Sequence, residues 1–532
     1  MRRGFGKAKT PLMLDQPMTT PAKPTPANAN LYARLFNDMK EPLKTAIEPD
    51  GGTPISYREL DAQAARYANY LTACGVKTGD RVAVQVEKST AAVMLYLATV
   101  RAGAIFLPLN TAYTLNELDY FFGDAEPALI VCDPSKAEGI AKIAQPIGAR
   151  VETLDSEGRG SLADGATKSA DSFTTVQREG SDLAAILYTS GTTGRSKGAM
   201  LTHDNLASNS LSLVEIWHFT DKDVLIHALP IYHTHGLFVA INVCLFSGAT
   251  MIFLKKLDTD RIIDLMPRST VLMGVPTFYV RLLQNPRLTK EAASHMRLFI
   301  SGSAPLLAET HREWSARTGH AVLERYGMTE TNMSTSNPYD GDRVPGAVGF
   351  PLPGVTMRVT DPETGRELAR DEIGMLEVKG PNVFKGYWRM PEKTKTEFRE
   401  DGFFITGDLG KIDPRGYVHI IGRGKDLVIS GGFNVYPKEI ESEIDAIPGV
   451  VESAVIGVPH ADFGEGVTAV VVPDKTAKLD EAAILHALDG RLAKFKLPKR
   501  VLFINELPRN TMGKVQKNIL RDTYATLYTG AK

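Results

Sequence analysis

The chain has little cysteine, no long apolar run and almost no net charge, and each shortage removes a class of function. Its three cysteines, Cys74, Cys132 and Cys244, are scattered through 532 residues with no metal-ligand spacing. They read as buried thiols in a reducing compartment, not as a disulfide framework or a zinc site. No apolar stretch reaches the roughly 18 residues that a helical membrane span needs. A formal net charge of −1 leaves no global field to gather nucleic acid or an anionic membrane. Local basic patches could still serve an anionic substrate. With 43% hydrophobic and 23% charged residues the composition is that of an ordinary globular protein, so function must be sought in local motifs. One compact core does not accommodate this length, and two or more domains are expected.

The first thirty residues are basic and then rich in Pro, Thr and Ala. They lack the apolar core of a secretory signal and read as a disordered tail, 1–30, on a cytoplasmic protein. A weak organelle-targeting segment, or a true start at Met13 or Met18, stays open at this point. Folded sequence begins near Leu31. Apolar runs at 81–86, 104–109, 128–132, 184–188 and 297–301 alternate with helix-like stretches, which predicts α/β layers around parallel sheet. After about Gly346 the texture turns to short alternating strands between Gly and Pro turns, as at 374–380. A second boundary falls near Gly422, Arg423, Gly424 and Lys425. Beyond it the pattern predicts a helix at 437–446, strands at 450–458 and 467–473, and a helix at 481–493, a small α+β unit of its own.

The strongest chemical signal is the run from Tyr188 to Gly198. An apolar strand enters a loop of Thr189, Ser190, Gly191, Thr192, Thr193 and Gly194, followed by Arg195, Ser196 and Lys197. Glycines let backbone N–H groups converge on an anion, hydroxyls donate further bonds, and Lys197 adds a point charge. That suits a nucleotide triphosphate, although the spacing is not the Walker arrangement. The plainer alternative is a flexible Gly/Thr surface loop.

This run resembles the phosphate-binding loop of the adenylate-forming superfamily, which comprises acyl-CoA synthetases, nonribosomal-peptide adenylation domains and firefly luciferases. Further motifs follow in that superfamily's order, and the resemblance covers nearly the whole chain from about Leu31. Arg325, Tyr326, Gly327, Met328, Thr329 and Glu330 resemble the segment that stacks on adenine and holds magnesium through its glutamate, with Thr189 as a second metal-side group. Asp408, after Thr406 and Gly407, resembles the aspartate that binds the ribose hydroxyls, with Arg423 near it. Lys425 resembles the inter-domain hinge, and Gly431, Gly432 and Phe433 the wall of a tunnel for coenzyme A. Lys514, after Asn510 and Gly513, resembles the catalytic lysine. Taken singly, Glu330 reads equally as a solvated acid, Asp408 as a turn residue and Lys514 as an exposed loop lysine. Their order along one chain is what makes the resemblance specific.

The resemblance implies a fold and a reaction. The fold is α/β: a large N-terminal domain, 31–423, of two α/β lobes plus a β-rich subdomain, then a small mobile α+β C-terminal domain, 424–532. The reaction is ATP-dependent ligation of a carboxylic acid to coenzyme A through an acyl-adenylate, with Mg²⁺ as cofactor. Lys514, Glu330, Lys197 and His233 would be the catalytic side chains. Ser303, Ala304 and Pro305 would border the nucleotide, and His233, His235, Arg281, Ser301 and Gly302 the acyl group.

Arg281 is the unusual residue of that set. It is expected on the first turn of a pocket-facing helix, where an unpaired guanidinium is costly to bury and a dicarboxylate would pair with it. The alternative is an arginine reaching solvent. The stretches 274–283 and 232–237 resemble malonyl-CoA synthetases, which implies malonate as substrate and methylmalonate as tolerated. Another short acid, or loading of a carrier protein, stays open. Lys514 also lies in a segment resembling targets of protein lysine acetyltransferases. No nucleic-acid or membrane partner is expected.

Overall fold

The computed structural model describes residues 28–37, 39–189, 196–430, 433–460, 463–489, 491–492, 494–510 and 513–528, with the backbone alone at 425, 433 and 434. The expectations for Ser190, Gly191, Thr192, Thr193, Gly194, Gly431 and Gly432, and for the side chains of Lys425 and Phe433, lie outside the described residues.

Two large sheets carry most of the chain. One has six strands in the order Arg150–Thr153, Leu129–Cys132, Arg81–Gln85, Ile105–Pro108, Leu183–Thr189, Lys197–Thr202. The first five are parallel, and the last turns back antiparallel on its neighbour. The other has nine strands. Its middle is a parallel run that includes Leu323–Met328, Leu298–Ser301, Val271–Gly274, Val224–His227, Thr250–Phe253 and Thr45–Pro49. Strands such as Leu129–Cys132, Leu183–Thr189 and Leu298–Ser301 contain the apolar runs that the sequence predicts as strands, because both faces of a parallel sheet are covered.

Helix Thr90–Arg101 shows how the two sheets join. Ser89 caps its N-terminus through its side chain, and residues Ala91 to Arg101 are buried on every side. It shares one apolar cluster with Val82 and Val84 of the six-stranded sheet and with Leu225, Leu272 and Leu298 of the nine-stranded one. Removing one fully buried leucine here, as in Leu97→Ala, costs about 2–5 kcal/mol. Tyr96 of this helix donates to Asn242 Oδ1 at 3.0 Å and packs its ring on Phe238. Those contacts fix the π-helical segment His235–Ile241 that carries part of the site.

A four-stranded antiparallel sheet follows, Thr356–Thr360, Gly374–Lys379, Phe404–Ile412 and Val418–Arg423. It is the β-rich unit expected after Gly346. The last sheet is built beyond residue 427 from Val428–Ser430, Phe433–Val435, Val450–His460, Gly464–Pro473 and Arg500–Phe503. Helix Pro437–Asp445 starts with proline at its first position, where the missing N–H costs nothing. The helix expected at 481–493 ends at Leu488, because Asp489 takes an extended backbone and its N–H closes on Leu485 and His486. Strand Arg500–Phe503 and helix Lys517–Thr523 complete the unit. Among the described residues no helix is long and apolar enough to cross a membrane.

Candidate active site

The site gathers at the carboxyl ends of the parallel strands, the usual location for ligands in open α/β sheets. Thr189 and Lys197 sit directly opposite each other, so the strand pair holds both ends of the hydroxyl- and glycine-rich loop. Lys197 Nζ lies 3.6 Å from Glu397 and 4.1 Å from the ring centre of Tyr387. Tyr387 in turn donates its hydroxyl to Glu330 Oε1 at 2.9 Å. Glu330 is 5% exposed, and burial pushes its carboxyl above the ordinary range while the Tyr387 bond and nearby Arg423 and Lys197 pull it down. Glycine is required at 327, where a β-carbon would meet the Asn332 carbonyl oxygen at 1.8 Å. Met328, which ends the strand, and Thr329 in the turn beyond are half-buried.

A second group forms across the strands on the other side of Tyr326. Its hydroxyl donates to Asp408 Oδ2 at 2.6 Å, and Arg423 Nε reaches Asp408 Oδ1 at 2.8 Å. Asp408 and Arg423 are directly opposite in an antiparallel pair, positions from which cross-strand side chains reach each other. The resemblance implied a stacking role for the Tyr326 ring; its hydroxyl in addition holds the carboxylate assigned to ribose.

The acyl-side residues come together around strand Leu298–Ser301. Ser301 is buried, Gly302 follows, and Ser303 has φ of 71°, a left-handed backbone uncommon for serine and typical of strained functional loops. Ala304 is half-buried and Pro305 exposed on the bend beyond. Ser303 Oγ is 3.4 Å from His235 Nδ1. Burial lowers His233 to about 4, and burial with the neighbouring Arg325 charge lowers His235 well below its usual value. Both rings are therefore neutral at physiological pH. Among the described residues, the buried atoms His233 Nε2, Thr234 Oγ1, His235 Nε2 and Ser301 Oγ have no hydrogen-bond partner. Buried polar atoms are nearly always satisfied, so a cluster of open ones marks a place shaped for a polar guest.

Arg281 differs from its expectation in place. Helix Pro276–Leu283 puts it on the second turn, exposed, lining a groove of about 720 Å³ with Asp258, Asp260, Gln284 and Arg287. The inward face of the helix is taken by Phe278, Tyr279 and Leu282, so its stripe points to solvent in this conformer.

The lysine loop is a tight turn. Gly513 N–H donates to Asn510 O, and Lys514 N–H to Asn510 Oδ1, each at 2.9 Å. Gly513 has φ of 73°, and a β-carbon there would lie 3.2 Å from Thr277 Oγ1. Lys514 is thus carried to the start of the acyl-side helix. Lys425 lies in the short 3₁₀ turn Gly424–Asp426, where Asp426 pairs with Arg521 at 2.9 Å. Among the described residues no three His, Cys, Asp or Glu side chains converge as a metal cage. A metal here would rest on one carboxylate plus substrate oxygens, which is how Mg²⁺ is usually bound beside phosphates.

Three residues escaped sequence reasoning. Tyr387 and Glu397 are 57 and 67 positions beyond Glu330 and enter only through the fold; the aromatic run Phe384, Tyr387, Trp388 was the one available hint. Lys88 is buried with Nζ 2.8 Å from His227 Nδ1 and over the Phe253 ring, in a stretch that carried no motif.

A two-lobed α/β body, a glycine- and hydroxyl-rich loop closed by a lysine, and a terminal unit presenting a second lysine define an enzyme that activates acids with ATP. The chain belongs to the AMP-binding enzyme family, whose model matches residues 37–388, and the AMP-binding enzyme C-terminal domain matches 439–514. Among curated relatives it is 35% identical to malonate–CoA ligase of Arabidopsis thaliana, over 90% of this chain and 86% of that one. Among solved structures it is 75% identical to ATP-bound MatB from Rhodopseudomonas palustris, covering 94% of this chain and all of that one, with a TM-score of 0.93. Against the apo form of the same protein, at the same identity and coverage, the TM-score is 0.83. The chain is therefore more similar overall to the ATP-bound form than to the apo form.

Proposed function

We propose that this chain is an AMP-forming malonate–CoA ligase, acting through malonyl-adenylate and tolerating methylmalonate. The 75% identity to MatB over nearly the full length carries the reading, and the unsatisfied polar atoms on the acyl side support it. A pocket lined by open hydroxyl and imidazole atoms suits a second carboxylate better than an alkyl tail. One extra methyl is worth only ~1 kcal/mol of discrimination, so methylmalonate would follow malonate.

In the first half-reaction a malonate carboxylate attacks the α-phosphorus of ATP and pyrophosphate leaves. Lys514, delivered by its turn against Thr277, bridges the two anions that must meet. Lys197 offsets charge on the departing oxygens. Tyr326, Asp408 and Arg423 fix the ribose. Glu330 and Thr189 fit Mg²⁺, which when bound would neutralise phosphate charge. In the second half-reaction the terminal unit turns about Lys425, Lys514 withdraws, and Gly431, Gly432 and Phe433 border the path of CoA. Its thiolate attacks the acyl carbonyl and AMP leaves. Acetylation of Lys514 by a protein acetyltransferase belongs to the same reading: it would remove the charge the first step needs.

Arg281 is a candidate for the distal carboxylate if its side chain folds back along the helix toward Thr277, one turn away. The reading is tested by following pyrophosphate with malonate and ATP alone, then AMP after CoA is added. Pyrophosphate without CoA and AMP turnover only with it are expected. Pyrophosphate release with no CoA-dependent turnover would instead favour loading of a carrier protein.

A further inference from the structure

Lys197 already has a counter-ion within the protein. Its Nζ lies 3.6 Å from Glu397 Oε1, and each of the two side chains is only 20% exposed. Lys197 is also the lysine that follows the hydroxyl- and glycine-rich loop, so a phosphate oxygen has to take it in competition with a carboxylate.

Glu397 is an acid in an unfavourable place. It is the last residue of helix Pro391–Glu397, where the negative end of the helix dipole repels a carboxylate. Two cations offset that repulsion, Lys393 at 2.5 Å and Lys197. Nor is the position a loose end. Phe398 leaves the helix in an extended backbone, stacks on Phe384 and packs against Phe404. From Phe384 the chain runs along the strand that begins at Lys197. Lys385 N–H donates to Met200 O and Met200 N–H to Gly386 O, each at 2.9 Å, and Trp388 N–H donates to Gly198 O at 2.8 Å. Tyr387 of this stretch sets its ring centre 4.1 Å from Lys197 Nζ. One segment, 384–398, thus supplies both the ring and the carboxylate beside Lys197. A phosphate oxygen bound to Nζ would lie within roughly 7 Å of that carboxylate, inside the ~8 Å Debye length of physiological salt. Two anions that close to one ammonium weaken each other's hold on it.

We propose that Glu397 is a positioning residue that competes with phosphate for Lys197, yielding the lysine when ATP binds and reclaiming it as pyrophosphate leaves. It makes ATP bind more weakly, and pyrophosphate depart faster, than Lys197 alone would allow. This rests on the reading of Lys197 as a phosphate-side lysine.

The test uses the full-length protein with Mg²⁺ present throughout. Glu397→Gln keeps the shape of the side chain and removes its charge. The dissociation constant for pyrophosphate, measured by calorimetry, is expected to fall about 3- to 10-fold, above the range of a fully exposed pair because both groups are largely covered. KM for ATP should fall by a similar factor. In a single turnover pyrophosphate should leave more slowly by that factor, while adenylate forms no more slowly. A group that merely held Lys197 in place predicts the opposite sign, with ATP and pyrophosphate bound more weakly and adenylate formed more slowly. That result, or an unchanged affinity for pyrophosphate, overturns the inference. Lys197→Ala separates it from the reading beneath it. If this variant binds pyrophosphate as tightly as wild type, Lys197 is not a phosphate-side group and both fall. If it binds more weakly while Glu397→Gln binds no tighter than wild type, the Glu397 inference alone falls. Should Glu397→Gln fail to fold, Lys393→Ala, at an exposed position, carries the test with the sign reversed. Losing its other partner leaves the carboxylate to Lys197, so pyrophosphate should bind about twofold or more weakly. Unchanged or tighter binding in that variant refutes the competition.

Discussion

Replacing Gly513 by alanine should slow adenylation and spare thioester formation. Gly513 is in the left-handed region at φ 73°, and its neighbour Lys514 is held by two 2.9 Å bonds to Asn510 around that turn. An L-residue in this conformation costs about 1–2 kcal/mol. The new methyl would also stand 3.2 Å from Thr277 Oγ1, tighter than the ~3.5–4 Å optimum of a non-bonded pair, so the loop must back away by a few tenths of an ångström. Both effects act on the docked loop alone. A loss of about 1–2 kcal/mol there corresponds to roughly 5- to 30-fold in rate. The assay separates the halves: a pyrophosphate burst reports adenylation, and a CoA chase of pre-formed malonyl-adenylate reports transfer. Adenylation should fall within that range and transfer should change less than about twofold. The double variant Gly513→Ala/Thr277→Ala should recover the part due to the contact and not the part due to φ. Equal slowing of both halves would refute the docking of Lys514 against Thr277 as an adenylation-specific contact. So would no effect on either.

Further outcomes follow from the same geometry. Glu330→Gln should cut activity by about 10²–10³-fold, as expected when a preorganised electrostatic partner is lost, with the melting temperature unchanged or raised because a buried carboxylate is replaced by an amide. Glu324 is buried with one bond from Gly346 N–H at 3.1 Å, and burial raises its pKa from 4.5 to about 8. Its contribution to stability is complete below pH 4.5 and lost as pH rises through about 8, on the order of a few kcal/mol. Denaturant melts of Glu324→Gln should therefore lack that decline between the two pH values. Arg281→Ala should raise malonate KM less than about tenfold, since an exposed, screened ion pair contributes at most ~1 kcal/mol. A larger effect would make Arg281 the principal anchor.

Much of this was legible from sequence, for identifiable reasons. Buried parallel strands such as Leu129–Cys132 and Leu298–Ser301 announce themselves as apolar runs because both faces are covered. Asp408 and Arg423 were legible because the strands that pair them are adjacent in the chain, so both fall in compact motifs. Tyr387 was not, since its bond to Glu330 spans 57 positions and nothing local marks an aromatic as the partner of a distant carboxylate. Arg325 adjoins Tyr326 in the chain and is buried, and the two-residue period of a strand sends its side chain to the opposite face. Arg281 was expected one turn too early, because the helix starts at Pro276 and its apolar face is already filled by Phe278 and Tyr279.

The central claim is that this enzyme joins malonate to coenzyme A, and a single panel tests it most directly. AMP formation dependent on both ATP and CoA is measured at equal concentrations of acetate, propionate, malonate, methylmalonate, succinate and benzoate. The account predicts the highest kcat/KM for malonate, methylmalonate next, and the monocarboxylates far behind. A preference for acetate, propionate or benzoate would leave the fold and the two-step chemistry in place and contradict the dicarboxylate pocket.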